Sequence, residues 1–321
     1  MEQWKDITQV ALPLPFPLKT IHAYVLEGKT GLTIVDTGLH TKETEEVWDR
    51  LLAEKNRKWT DIEKIVLTHY HPDHYGFAGR MQQKSGAPVY ISKLDSDQAH
   101  LFWGKDSTMA FKMAHFYEKH GLKKSLVDQI PEHLKSFVPW VNPHPDVTYI
   151  AAGETIQMGD REYQILHTPG HADGHLSFWD KERRWLIAGD AILPRITPNI
   201  SLWPACDPNP LGLYLQTLQN LKELPAELVF SAHGAVFSEL IGRIVQLEKH
   251  HARRLQHLLD LLAKQRKVSA ATACDSLFGT DLSIHNLRFA LSETLAHLEF
   301  LVAKGTAKRI EEAEHTFYVI V

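Results

Sequence analysis

The segment Thr68-His69-Tyr70-His71-Pro72-Asp73-His74 packs three imidazoles and one carboxylate into six residues. No helix or strand period puts all four on one face, so a loop must wrap them around something. Imidazole nitrogens and carboxylate oxygens are ligands for borderline divalent cations, zinc first, with iron and manganese as alternatives. A cation of that kind lowers the pKa of a bound water from about 15.7 to about 7, making hydroxide available at neutral pH. The competing reading, four satisfied surface side chains, fits poorly, because such groups would repel one another on protonation and add nothing to a core. More residues of the same types lie downstream: His171 and His175 in HTPGHADGH, Asp190 in LIAGDAIL and His233 in VFSAHG. Each follows an apolar run and stands beside glycine, where a sheet presents side chains to a shared rim and the backbone turns sharply.

The elements that must carry these loops are legible around them. Residues 7–26 are strand-like with Pro13, Pro15 and Pro17 as interruptions, and the strand GLTIVDTG follows. Thr41 is a plausible N-cap for a helix whose apolar stripe is Val47, Trp48, Leu51 and Leu52. The run Lys64–Thr68 is a strand covered on both faces, ending at the first histidine cluster. A helix near Phe77–Ser85 and a strand near Pro88–Ser92 complete the unit. Strand patterns resume at 155–160, 163–167, 175–179 and 185–188, before a helix at 211–224 and a strand at 228–231. Two halves on one plan predict two sheets packed face to face with helices outside.

The divisions expected are a catalytic domain at 1–241, carrying an insert at about 98–146, and a helical module at 242–321. In the insert, Met109, Met113, Phe116 and Tyr117 share a helical face, either docking the insert or lining an apolar lid. Three helices and a terminal hairpin suggest a winged-helix module. Its leucines, Leu255, Leu258, Leu259 and Leu262, fill its own core or form a homo-oligomer contact.

Composition bounds the rest. Hydrophobic residues are 44% and charged residues 23% of 321, which excludes disordered and fibrous classes. A net charge of −4 gives no global field for nucleic acid or anionic lipid. Two cysteines, no signal-peptide pattern and no apolar run of membrane-spanning length make a cytoplasmic protein with no membrane partner the expectation.

HYHPDH, TPGH, AGD and SAHG, in that order and spacing, resemble the metallo-β-lactamase superfamily signature across residues 7–241. The resemblance implies an αββα sandwich with a two-metal site. It implies that His69, His71 and His171 hold one ion, that Asp73, His74 and His233 hold the other, and that Asp190 bridges both. Asp73 would also orient and accept a proton from a bridging hydroxide. His175 is not a ligand in that family, and serves as a hydrogen bonder behind the ligands or as a core histidine. Asp36, in TIVDTG, supports the ligands or simply stabilises its turn. Tyr70 points away from the metals, whereas Tyr75 has the cleft within reach; packing is the default role for both, as an inert thiol is for Cys206. Flavodiiron members carry Glu in place of the second histidine, so His71 argues for hydrolysis over oxygen chemistry.

The expected activity is hydrolysis of an ester, thioester or lactone of a small molecule, by resemblance to glyoxalase II and lactonase-like members. The alternative is a single-strand-selective endoribonuclease or other phosphodiesterase with nucleic acid as partner. Against it, residues 242–321 hold 11 Lys plus Arg against 9 Asp plus Glu, a net +2 that makes a poor phosphate clamp.

Overall fold

The computed structural model describes residues 2–321. Contacts divide the chain into two compact units: residues 1–105, 137–198 and 223–240 form the first, and 106–136, 199–222 and 241–321 the second. The units follow contact, not chain order. Residues 106–136 and 199–222, which lie within 1–241, pack with the C-terminal segment.

The first unit is built on two sheets. The strands of one run in chain order: β1 (Glu2–Trp4), β2 (Ile7–Pro13), β3 (Thr20–Glu27), β4 (Leu32–Val35), β5 (Ile62–Val66), β6 (Val89–Ile91) and β7 (Val147–Tyr149). β1 to β4 pair antiparallel, and β4 to β7 pair parallel. The parallel pairs need crossovers, supplied by helices α1 (Lys42–Glu54), α2 (Pro72–Tyr75), α3 (Ala78–Ser85) and α4 (Lys93–Trp103). Thr41 caps α1 as expected, its side chain accepting the Thr44 N–H, and Trp48, Leu51 and Leu52 are buried.

The second sheet has the order β12-β11-β10-β9-β8, from β8 (Thr155–Met158), β9 (Arg161–His167), β10 (Leu176–Asp180), β11 (Trp185–Gly189) and β12 (Leu228–Ser231). Every residue of β10 and β11 is buried. Tyr24, Leu26, Val35 and Val66 of the first sheet form one core with Ile165, Leu176, Phe178, Ile187 and Phe230 of the second, which is the face-to-face packing the sequence predicts. Burial of each such large side chain contributes about 1.5–3 kcal/mol. The loops that leave this core therefore start from fixed anchors.

The second unit holds α5 (Met109–Lys119), α6 (Lys124–Val127), α7 (Ile130–Lys135), α8 (Pro210–Lys222), the body of α9 (Leu240–Lys264), α10 (Ala270–Phe278) and α11 (Ile284–Ala303). A small antiparallel sheet of order β13-β15-β14 joins them, from β13 (Val268–Ser269), β14 (Ala307–Glu312) and β15 (His315–Ile320). Met109, Met113 and Tyr117 are buried, and the Tyr117 hydroxyl pairs with Ser292 Oγ at 2.6 Å, so this stripe is core. Of the α9 leucines, Leu258 and Leu262 are buried while Leu255 and Leu259 are half-buried. Among the described residues, no helix is long and apolar enough to cross a membrane.

Candidate metal centre

Four loops converge at one end of the first unit's strands. The β5–α2 loop carries His69 and His71, with Pro72 at the first helical position, where its missing N–H costs nothing. The single turn that follows swings Asp73 and His74 round towards His69. His171 sits in the β9–β10 loop, Asp190 directly after β11 and His233 two residues after β12. Gly189 makes the Asp190 position accessible: its φ is +52°, and a β-carbon there would lie 2.7 Å from His175 Nε2 and 3.0 Å from Thr68 Cβ.

The side chains meet in two overlapping groups. His69 Nε2 lies 3.0 Å from His71 Nδ1, which lies 2.9 Å from His171 Nε2. His233 Nε2 lies 3.4 Å from Asp73 Oδ2 and 3.5 Å from Asp190 Oδ2, and His74 Nε2 is 3.8 and 3.6 Å from the same two oxygens. Asp190 Oδ2 also stands 3.3 Å from His171 Nε2, between the groups. Ligand atoms of His69, His71 and His171, of His69, His74 and Asp190, and of Asp73, His74 and His233 are each close enough to share one ion. All seven residues read from the sequence are thus brought together. His71, Asp73 and His171 are its partly exposed members, so solvent reaches the cluster beside them.

The supporting bonds fix which nitrogen faces inward. Asp36 Oδ2 accepts the Nδ1–H of His74 at 2.8 Å, leaving Nε2 for the cluster. Thr68 donates its hydroxyl to the same carboxylate at 2.8 Å and takes the Nδ1–H of His69 at 3.0 Å. Asp36 itself sits at φ +59°, a strained conformation for a residue other than glycine. His233 donates Nδ1–H to the Thr20 carbonyl at 3.1 Å. His175, fully buried, stands behind the cluster: its Nε2 accepts the Asp190 N–H at 3.1 Å and its Nδ1 pairs with Thr168 Oγ1 at 2.8 Å. Tyr75 takes the packing role that is its default in the sequence reading. It is fully buried, and its hydroxyl pairs with His144 Nδ1 at 3.0 Å instead of facing the cleft.

Two residues central to this scaffold were not singled out by sequence. Thr68 is one; its Thr-His pattern at a strand end is the available signal. Asp95 is the other, a fully buried carboxylate on α4 whose oxygens accept the N–H groups of Gly174 and Tyr70 at 2.8 and 3.1 Å. Burial pushes its carboxyl up to about 8, against those two donors.

Electrostatics divide the cluster. Burial holds His69 and His71 well below the usual imidazole value, and neighbouring imidazoles push the same way. His175 is lowered by burial and then by His171. For His74, burial disfavours the charge, but Asp36, Asp190 and Asp73 outweigh it and hold the ring well above its ordinary value. His233 is carried up to about 10 against burial by Asp190 and Asp73. Asp73 falls to about 2 and Asp190 well below the carboxylate range, since His74 and His233 overcome their desolvation. Carboxylates here demand positive charge, from protons or from cations.

Two buried atoms decide whether cations fit. His74 Nε2 and Asp190 Oδ1 are buried without a hydrogen-bond partner, and His74 Nε2 faces the carboxylates of Asp73 and Asp190. A buried polar atom without a partner costs about 1–3 kcal/mol. Coordination removes that cost, and the neutral-nitrogen and carboxylate-oxygen donor set suits zinc and its neighbours.

The Metallo-beta-lactamase superfamily profile matches residues 17–233, and that of the Metallo-beta-lactamase-like C-terminal domain matches 255–318. A crystal structure of a metallo-beta-lactamase family protein from Thermus thermophilus superposes with TM-score 0.87 at 31% identity, covering 99% of each chain. A Bacillus subtilis (strain 168) protein named "Probable metallo-hydrolase YqjP" is 25% identical over 98% of each chain. An atrochrysone carboxyl ACP thioesterase of Passalora fulva is 25% identical, over 87% of this chain and 69% of its own.

Proposed function

The chain belongs to the metallo-beta-lactamase superfamily and is a hydrolase, and on that premise we propose that it cleaves an ester, thioester or lactone of a small molecule at a two-metal centre. His69, His71 and His171 would hold one divalent ion, Asp73, His74 and His233 the other, and Asp190 would touch both. Zinc is the first choice, with iron or manganese as alternatives. Such ions, when bound, activate water and polarise the scissile carbonyl.

The chain's own residues do the rest. Asp36 and Thr68 accept the outward Nδ1–H groups of His74 and His69, so that each ring presents its Nε2 to the cluster. Asp73 stays ionised at neutral pH, and its carboxylate lies at the partly exposed edge of the cluster, where it would orient an attacking water. His175 fixes the Asp190 backbone from behind.

The observation that carries this reading is the pair of orphaned atoms, His74 Nε2 and Asp190 Oδ1, inside a ring of seven ligand-type side chains. Acyl substrates are favoured over phosphodiesters by the near-neutral charge of residues 242–321 and by similarity to a chain named as a thioesterase. The test is a panel of acyl thioesters, esters and lactones beside labelled single-stranded RNA, with protein stripped by chelator and reloaded with zinc. Acyl cleavage that disappears on stripping and returns on reloading is expected. Cleavage of RNA alone, falling steeply with salt, would replace the acyl reading with the phosphodiesterase one.

A further inference from the structure

Helix α4 (Lys93–Trp103) contributes no ligand-type atom to the cluster, yet hydrogen-bonds both loops that carry the three-histidine group. Asp95 spans them: Oδ1 accepts Gly174 N–H at 2.8 Å from the His171 loop, and Oδ2 accepts Tyr70 N–H at 3.1 Å, between His69 and His71. The same helix takes hold of each loop a second time. Trp103 donates its indole N–H to the Tyr70 carbonyl at 3.3 Å, and the Gln98 amide donates to Asp173 Oδ2 at 2.7 Å. Both backbone groups of Tyr70 are therefore tied to α4, and its side chain is buried against Phe102 of that helix.

The joint is built tightly. Asp95 is fully buried, and its own N–H donates to Ser92 Oγ, the cap of α4, at 3.1 Å. Gly174 approaches so closely that a β-carbon would lie 2.4 Å from Ser92 Oγ and 2.5 Å from Asp95 Oδ1. Only glycine lets the loop reach the carboxyl group at that distance.

We propose that Asp95 is a positioning residue that sets the distance between the His69–His71 pair and His171, and through it the affinity of that group for its ion. The inference rests on the two-metal reading above. The physical ground is geometric: the three ring nitrogens come from two loops with no covalent restraint between them, and Asp95 is a rigid strut of fixed length across the gap. Asparagine has the same shape but breaks the strut, because an amide nitrogen cannot accept a hydrogen bond, whereas each oxygen of a carboxyl group can. One of the two N–H groups then faces a donor, and its loop retreats.

The experiment titrates zinc into the metal-free full chain, wild type against Asp95→Asn and Gly174→Ala, with turnover of an acyl substrate and melting followed in parallel. Gly174→Ala reads the same joint from the loop's side and serves if Asp95→Asn fails to fold. Affinity for one of two zinc ions should fall roughly 10–100-fold, that for the other staying within about threefold, and excess zinc should restore turnover. A merely structural role predicts a lower melting temperature with both zinc affinities intact while folded; that result, in whichever variant folds, would overturn the proposal. Wild type that binds no zinc would overturn the two-metal reading and Asp95's role together, whereas normal binding in folded variants removes only the latter.

Discussion

Each unit of the molecule buries a group of histidines, and the two groups have opposite chemistry. In the first unit, His69, His71, His74, His171 and His233 meet Asp73 and Asp190, and two buried atoms lack hydrogen-bond partners. In the second, His251 and His297 meet each other. His251 donates Nδ1–H to His297 Nε2 at 3.1 Å, and His297 donates Nδ1–H to the Glu293 carbonyl at 2.7 Å. Around this pair stand His250 and Arg254 from α9, Tyr214 from α8 and the Glu293 side chain from α11. Carboxylates in the first group raise His74 and His233 and create a demand for cations. Burial in the second drives both imidazoles down, His297 to about 4, and keeps them neutral. Histidine density is therefore a poor guide to a metal site; carboxylates facing imidazoles across an unfilled donor set are a better one.

The sharpest way to break the comparison is Asp190→Asn, which removes the carboxylate common to both ligand groups while keeping its shape. Turnover should fall on the order of 10³-fold, about 4 kcal/mol of lost transition-state stabilisation. Zinc content should drop in mass spectrometry of the native protein. A variant with activity within about tenfold of wild type would remove Asp190 from the chemistry.

A smaller effect tests the second group by acid. His297 is neutral when folded, with a pKa of about 4 against an ordinary 6.5, so its contribution is intact above pH 6.5 and lost as pH falls towards 4. A depression of that size corresponds to roughly 3 kcal/mol. Urea unfolding at about pH 7 and about pH 4.5 should show a steeper loss in wild type than in His297→Gln, which cannot titrate. Equal slopes would mean that the pair is charged or solvated when folded.

How much of this was legible depended on where the interacting residues lie along the chain. The ligand loops declared themselves because a metal rim needs several donors in a few residues, as in His69–His74, each placed at the end of an apolar strand. The two-sheet frame was legible for the same reason of periodicity, as was Thr41 at the start of α1. Asp95 was not: its work is to accept two backbone N–H groups from loops 25 and 79 residues away, and no side-chain pattern marks a backbone acceptor. The grouping of residues 106–136 and 199–222 with the C-terminal segment was equally hidden, since it rests on contacts such as Tyr117 and Trp203 with Ser292. The packing role of Tyr75 was legible as the default for a phenol beside a ligand, and a single helical turn is what points it into the core.

The smallest expected effect is the most discriminating about histidine itself. His251→Leu removes a fully buried imidazole whose Nε2 has no hydrogen-bond partner, just as His74 Nε2 has none. If an orphaned nitrogen alone implied a cation, both substitutions would cost metal. The surroundings differ, however: His251 packs against Tyr214 and the rings of His250 and His297, but among the described residues no three ligand atoms there lie close enough to share one ion. Leucine there should leave zinc content unchanged and turnover within about twofold. Stability at about pH 8 should move by no more than about 1 kcal/mol, because the lost bond to His297 is offset by the removal of an unsatisfied buried atom. Loss of an equivalent of zinc would instead mean that the second unit holds an ion of its own, and the contrast between the two groups would fail.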